Sequence, residues 1–142
     1  MSKINFMPCV YRIYNNNHPN VCYIGSTNSF KSRMSYHKYQ CKQQNNALLY
    51  KSIVLNGGIK CWTFEILKEF YGMSKEDLRK EEDKFMNLFN PPLNKNRAFT
   101  SNEEKKEINR NNARNFRKNK MHIKEHNEKK LESLRLEFKI FV

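Results

Sequence analysis

The sequence predicts an α+β fold: a small three-stranded antiparallel sheet flanked by helices, followed by an extended, basic, helical C-terminal tail. Three observations predict it. Short runs rich in β-branched and aromatic residues fall at residues 9–14, 21–25 and 62–67, the first two joined by a turn-forming stretch of Asn and Pro. Between and after them, apolar residues recur at helical spacing and are bracketed by capping signals. Beyond Asn94 the composition turns polar and basic, which divides the chain into a compact domain, residues 1–98, and an extension, residues 99–142.

Composition limits what this chain can be. Its 142 residues suffice for one compact domain and an appendage rather than two domains. Hydrophobic content of 38% and a mean hydropathy of −0.91 leave room for only a modest core. No apolar run approaches the roughly 18 residues of a membrane span, and no charged-then-apolar leader opens the chain. A soluble intracellular protein without membrane partners is expected, and the abundance of Asn fits a virus- or mobile-element-encoded one. Cys9, Cys22, Cys41 and Cys61 show neither C-x-x-C nor zinc-finger spacing and are read as free thiols.

The net charge of +13 asks for a polyanionic partner. Residues 1–64 contain no Asp or Glu, yet carry Lys3, Arg12, Lys31, Arg33, Lys38, Lys42, Lys51 and Lys60. All carboxylates of the compact part fall between Glu65 and Asp83. An acid-free half suits a surface against which a phosphate backbone lies, because a carboxylate there would repel it. Lys31, Lys38, Lys42 and Lys51 are the contacts this suggests.

In order, a short leader ends at Pro8. In the first strand Cys9, Tyr11 and Ile13 share one face, and in the second Val21, Tyr23 and Gly25 do, so Tyr11 and Tyr23 can stand side by side. Ser26 and Thr27 are expected N-caps of a helix reaching about residue 40, with Phe30, Met34 and Cys41 facing the core and Arg33 and His37, at i and i+4, on a neighbouring face. A second helix over 46–55 turns Leu49 and Ile53 inward and stops at Asn56, Gly57 and Gly58. The third strand alternates Trp62, Phe64 and Ile66 with Thr63, Glu65 and Leu67, and one of those faces is core.

Ser74 with Asp77 forms a capping box that opens a helix to about Phe89, closed by Pro91 and Pro92. Its apolar stripe is Leu78, Phe85, Met86, Leu88 and Phe89. At roughly 100° per residue, Glu82 lies about 40° from the stripe centre and Glu81 about 60° away on the other side, a slight preference for Glu82. A carboxylate so close to a buried face is costly unless a positive group or a metal ion meets it. From Ser101 to about Lys130 a mostly exposed helix is expected, with Arg110, Arg114 and Arg117 on a basic arm suited to lie along DNA. The last stretch fits two periods. Leu131, Leu134, Phe138 and Phe141 suit a helix, whereas Leu134, Leu136, Phe138, Ile140 and Val142 alternate like a strand. This apolar end is expected to dock on its own domain or on a second copy, giving a homodimer.

These residues, taken together, resemble the GIY-YIG nuclease domain of homing endonucleases, some restriction enzymes and an excision-repair subunit. Cys9-Val10-Tyr11 stands where the family has Gly-Ile-Tyr, and Tyr23-Ile24-Gly25 matches the second element outright. Arg33 and His37 follow as R-x-x-x-H, Glu82 resembles the metal-binding glutamate, and Asn94 the closing asparagine. Five elements in order over residues 8–98 are hard to produce by chance. Some homing-type members carry His-Ser-Ser before the second helix; here the region reads Gln43-Gln44-Asn45-Asn46, so Asn45 or Asn46 would substitute there.

The resemblance implies a divalent-metal-dependent DNA endonuclease that hydrolyses phosphodiester bonds with one metal ion and a tyrosine-activated water. Tyr11 or Tyr23 would activate or orient the water, Arg33 would clamp the nonbridging oxygens and His37 would assist proton movement. Glu82 would hold the ion, Mg²⁺ with Mn²⁺ as a substitute. A tyrosine titrates near about 10, so a tyrosine base would need neighbouring cations to lower it. The acid-free residues 1–64 agree independently with a one-metal site, because two metals want several converging acids. The alternative is a noncatalytic nucleic-acid-binding module that keeps the fold, although such a protein has no need of Glu82 on a basic face.

Overall fold

The computed structural model describes residues 7–140, with side chains through residue 136. The chain forms two units that divide between Phe99 and Thr100. The first contains strands β1 (Cys9–Asn15), β2 (Cys22–Thr27) and β3 (Trp62–Glu69) and helices α1 (Phe30–Lys42), α2 (Leu48–Leu55) and α3 (Lys75–Phe89). The second is the helix α4 (Asn102–Ile140).

The sheet has the order β2-β1-β3 and both pairings are antiparallel. β1 takes the centre because both of its faces are apolar, and Cys9, Val10, Tyr11 and Ile13 are all buried. Tyr11 and Ile13 join Trp62, Cys41 of α1 and Leu49, Tyr50 and Ile53 of α2 in one cluster. Val10 and Ile24 join Phe70 and Leu78 in a second, against which Phe85, Met86 and Phe89 of α3 pack. Burial on both sides thus fixes the register of the central strand.

Several elements differ from their sequence-based expectation for traceable reasons. β2 runs on to Thr27, because Ser26 and Thr27 pair with Val10 and Cys9. They are not helix caps; the Thr27 hydroxyl accepts from Ser29 N and donates to Ser29 O, building the turn that starts α1 at Phe30. His37, expected beside the core face, is on it with Cys41, and is 3% exposed. β3 feeds both clusters rather than one, since Tyr11 pairs with Ile66 and Val10 with Lys68, leaving Leu67 as an extra residue that reverses the alternation. Arg12 faces away from the acid-free surface, in an ion pair with Glu65 at 2.6 Å. Leu88 leaves the α3 stripe and is 76% exposed.

The Ser74 cap forms as expected. Asp77 N donates to Ser74 Oγ at the start of α3, and Asn90 ends it in the left-handed region at φ 45°. The four cysteines are free. Among the described residues no helix is long and apolar enough to cross a membrane. α4 opens with reciprocal bonds between Ser101 and Glu104 and continues as a helix through Ile140, which removes the strand alternative there. Its side chains from 102 to 136 are exposed. Phe141, Val142 and the side chain of Phe138, part of the apolar end expected to dock, lie outside the described residues.

Gly25 sits opposite Tyr11 in the β1–β2 pairing, and a Cβ there would lie 2.5 Å from Tyr11 Oη and 2.6 Å from its Cζ. A buried phenol held from several sides cannot swing away. Gly25→Ala is therefore expected to lower unfolding stability by about 1–3 kcal/mol, measured by urea denaturation.

Candidate active site

The sequence-distant ends of four elements meet at one cleft of about 930 Å³. Tyr11 and Tyr23 form its floor, Ser26 to Ser29 and Arg33 one side, and Lys75, Arg79 and Glu82 of α3 the other, with Arg97 and Ala98 also lining it. The two tyrosines are two residues out of register, Tyr11 opposite Gly25 and Tyr23 opposite Ile13, so their rings approach diagonally with centroids 6.4 Å apart.

His37 lies behind the tyrosines. A hydrogen bond of 2.8 Å joins its Nε2 to Tyr11 Oη, and one of 3.0 Å joins its Nδ1 to Tyr50 Oη. Burial, with the nearby Arg33 charge, pulls its pKa down to about 4, so the imidazole is neutral at physiological pH. Burial raises the pKa of Tyr11 and of Tyr23 as well, the first further through Tyr23 and the second through Glu82. Cations were expected to lower the base's pKa; Arg33 does act in that direction, but desolvation outweighs it. Neither phenol is a standing phenolate.

Glu82 is the carboxylate that reaches the cleft. Its Oε2 accepts a bond of 2.5 Å from Ser26 Oγ, whereas Glu81 is taken up by Lys84. Burial raises the Glu82 pKa above its ordinary value, and Ser26, Arg79 and Arg33 offset this only in part. Its negative charge is thus under-compensated, which suits a cation. Among the described residues no group of three or more His, Cys, Asp or Glu is gathered as a metal site. The donor set of one carboxylate and neighbouring hydroxyls fits a hard ion that keeps most of its waters, not a tetrahedral zinc site.

Of the other expected residues, Arg33 lines the cleft, with its guanidinium 5.7 Å from the centroid of Tyr36. Asn94 does not line it; its carboxamide accepts from Ile24 N at 2.9 Å and donates to Ile24 O at 2.8 Å, holding β2 beside Tyr23. Lys31, Lys38, Lys42, Asn45, Asn46 and Lys51 are exposed outside the cleft, and Asn45 bonds locally to Gln40 and Ala47. Arg110, Arg114 and Arg117 are exposed on α4.

A model of the GIY-YIG catalytic domain matches residues 7–98. The chain belongs to the GIY-YIG family. A solved structure, a glutamate-to-alanine mutant of the catalytic domain of intron endonuclease I-TevI, superposes with a TM-score of 0.57 at 19% identity, over 67% of this chain and 99% of that one. That likeness is one of fold. No curated protein matches the chain. As a GIY-YIG enzyme the chain is a nuclease.

Several residues in or behind the cleft of this GIY-YIG domain were not evident beforehand. Arg79 lies one turn before Glu82 on the same face of α3, a spacing that could have revealed it. Tyr50 sits between Leu49 and Ile53 on the inward side of α2, where a phenol requires a hydrogen-bond partner. Arg97 gave no signal: its position depends on Asp83, buried at 7% exposure and bonded to its guanidinium at 2.8 Å.

The buried His37 makes stability depend on pH. The unfolded chain takes up a proton near pH 6.5, the folded one only near pH 4. His37 therefore does not weaken the fold above pH 6.5, and its resistance to protonation lowers stability as pH falls toward 4, by about 3 kcal/mol. Urea unfolding at about pH 7.5 and about pH 4.5 should show this loss in the wild type and a smaller one in His37→Gln.

Proposed function

We propose that this GIY-YIG nuclease is a divalent-metal-dependent DNA endonuclease that uses one ion at Glu82 and a water activated by Tyr11. The observation that carries this reading is the cleft itself, in which one half-buried carboxylate faces two phenols amid Arg33, Lys75, Arg79 and Arg97. A phosphodiester would bring negative charge to Arg33, Lys75 and Arg79, and Arg33 would bind its nonbridging oxygens. Of the two tyrosines, the hydrogen bond to His37 favours Tyr11 as base. Its phenol oxygen takes a proton from the attacking water as its own proton passes to His37 Nε2. Such a relay needs no free phenolate, in keeping with the raised pKa. Tyr23 orients the water.

GIY-YIG nucleases are generally divalent-metal dependent. Bound Mg²⁺, or Mn²⁺ in its place, supplies positive charge to the developing phosphorane and the leaving oxygen. Glu82 would hold it, with Ser26 fixing the carboxylate. In this reading residues 1–98 carry the chemistry. Lys31, Lys38, Lys42 and Lys51 contact flanking phosphates, and residues 99–142 add a basic helical arm through Arg110, Arg114 and Arg117.

Nicking of a supercoiled plasmid tests the proposal. Wild-type protein is expected to cut with Mg²⁺ and not with a chelator, and Glu82→Gln to cut at least about 100-fold more slowly with its helical content intact. No cleavage by wild type, or undiminished cleavage by Glu82→Gln, would contradict it.

A further inference from the structure

The relay from water to Tyr11 to His37 works in one protonation pattern only. His37 Nε2 must be bare to receive the Tyr11 proton, so the neutral ring must carry its hydrogen on Nδ1. A histidine side chain in water prefers the opposite arrangement, with hydrogen on Nε2. Which nitrogen is protonated in a protein is decided by the bond the other nitrogen makes. His37 Nδ1 makes that bond to Tyr50 Oη, at 3.0 Å.

We propose that Tyr50 is a positioning residue of the cleavage reaction, whose phenol oxygen accepts the Nδ1 hydrogen of His37 and so keeps Nε2 open toward Tyr11. Tyr50 comes from α2, in neither sequence nor space part of the cleft lining, and is only 8% exposed. Tyr11, at 1%, and His37, at 3%, are buried beside it, so water cannot easily substitute for the phenol. The ring is also confined from the sides, with its centroid 5.8 Å from that of Tyr50 and 6.2 Å from that of Phe64. During attack the water proton passes to Tyr11 Oη and the phenolic proton to His37 Nε2. The imidazolium so formed keeps its Nδ1–H on Tyr50, and the water oxygen bonds to phosphorus as the bond from phosphorus to the leaving oxygen breaks; that oxygen takes a proton from solvent, and His37 afterwards returns its extra proton to solvent through Tyr11. No proton is lost or gained. Without the Tyr50 oxygen, the ring reverts to hydrogen on Nε2. That hydrogen then points at Tyr11 Oη and closes the path.

The proposal rests on the endonuclease reading for its consequence but not for its first test. Nitrogen-15 spectra of histidine-labelled full-length protein, without DNA or metal and with His37 assigned through His37→Gln, report the tautomer directly. The expected wild-type result is a protonated Nδ1 and a bare Nε2, shifting toward protonated Nε2 in Tyr50→Phe. Single-turnover cleavage by Tyr50→Phe is expected to slow about tenfold with DNA affinity unchanged. A wild-type ring protonated on Nε2 overturns the proposal even if the protein cuts DNA. So does a Tyr50→Phe variant with the wild-type tautomer. A protein that shows the expected tautomer but nicks no plasmid contradicts the endonuclease reading instead.

Discussion

His37 is buried to 3% exposure, and both of its ring nitrogens are met by phenols from other elements, Tyr11 of β1 and Tyr50 of α2. An imidazole at that depth with either nitrogen unpartnered would cost on the order of 1–3 kcal/mol. The partners therefore tie the packing of α1 and α2 against the sheet to one hydrogen-bond geometry. Gly25 adds a steric condition, because only a residue without a side chain lets the Tyr11 ring lie across β2. Core and chemistry share these atoms. That explains why a modest core suffices to fix them.

The electrostatic half of the design sits on the other wall. α3 presents Lys75, Arg79 and Glu82 on one side, so the carboxylate arrives among cations rather than among acids. Ser26, at the end of β2, holds it. The next acid along, Asp83, is drawn away to Arg97, and Glu81 to Lys84, so neighbouring acids do not crowd the site. In the proposed reaction, one negative charge in a basic cleft would leave room for a phosphate and a single ion, whereas several would repel the substrate.

Much of this was legible in the sequence. The hairpin, the helix carrying Arg33 and His37, the Ser74 capping box and a slight preference for Glu82 over Glu81 follow from periodicity and turn chemistry, which are local. What was missed depends on partners far along the chain. His37 reads as lying beside the core face until Tyr50 is brought to it, and Ser26 reads as a helix cap until pairing with Val10 extends β2. The reversal of β3 at Leu67 comes from a bulge, to which hydrophobic alternation is blind. Asn94, expected among the catalytic groups, acts on the backbone of Ile24, seventy residues away, a pairing that no local pattern shows.

In the proposed reaction a single carboxylate makes this basic cleft a metal-dependent one. Counting Mn²⁺ by electron paramagnetic resonance, with the full chain bound to an uncleavable DNA duplex, tests it most directly. One tightly held ion per chain is expected, lost in Glu82→Gln and retained in Glu81→Gln. Two ions per chain, or an ion that survives Glu82→Gln, would contradict it.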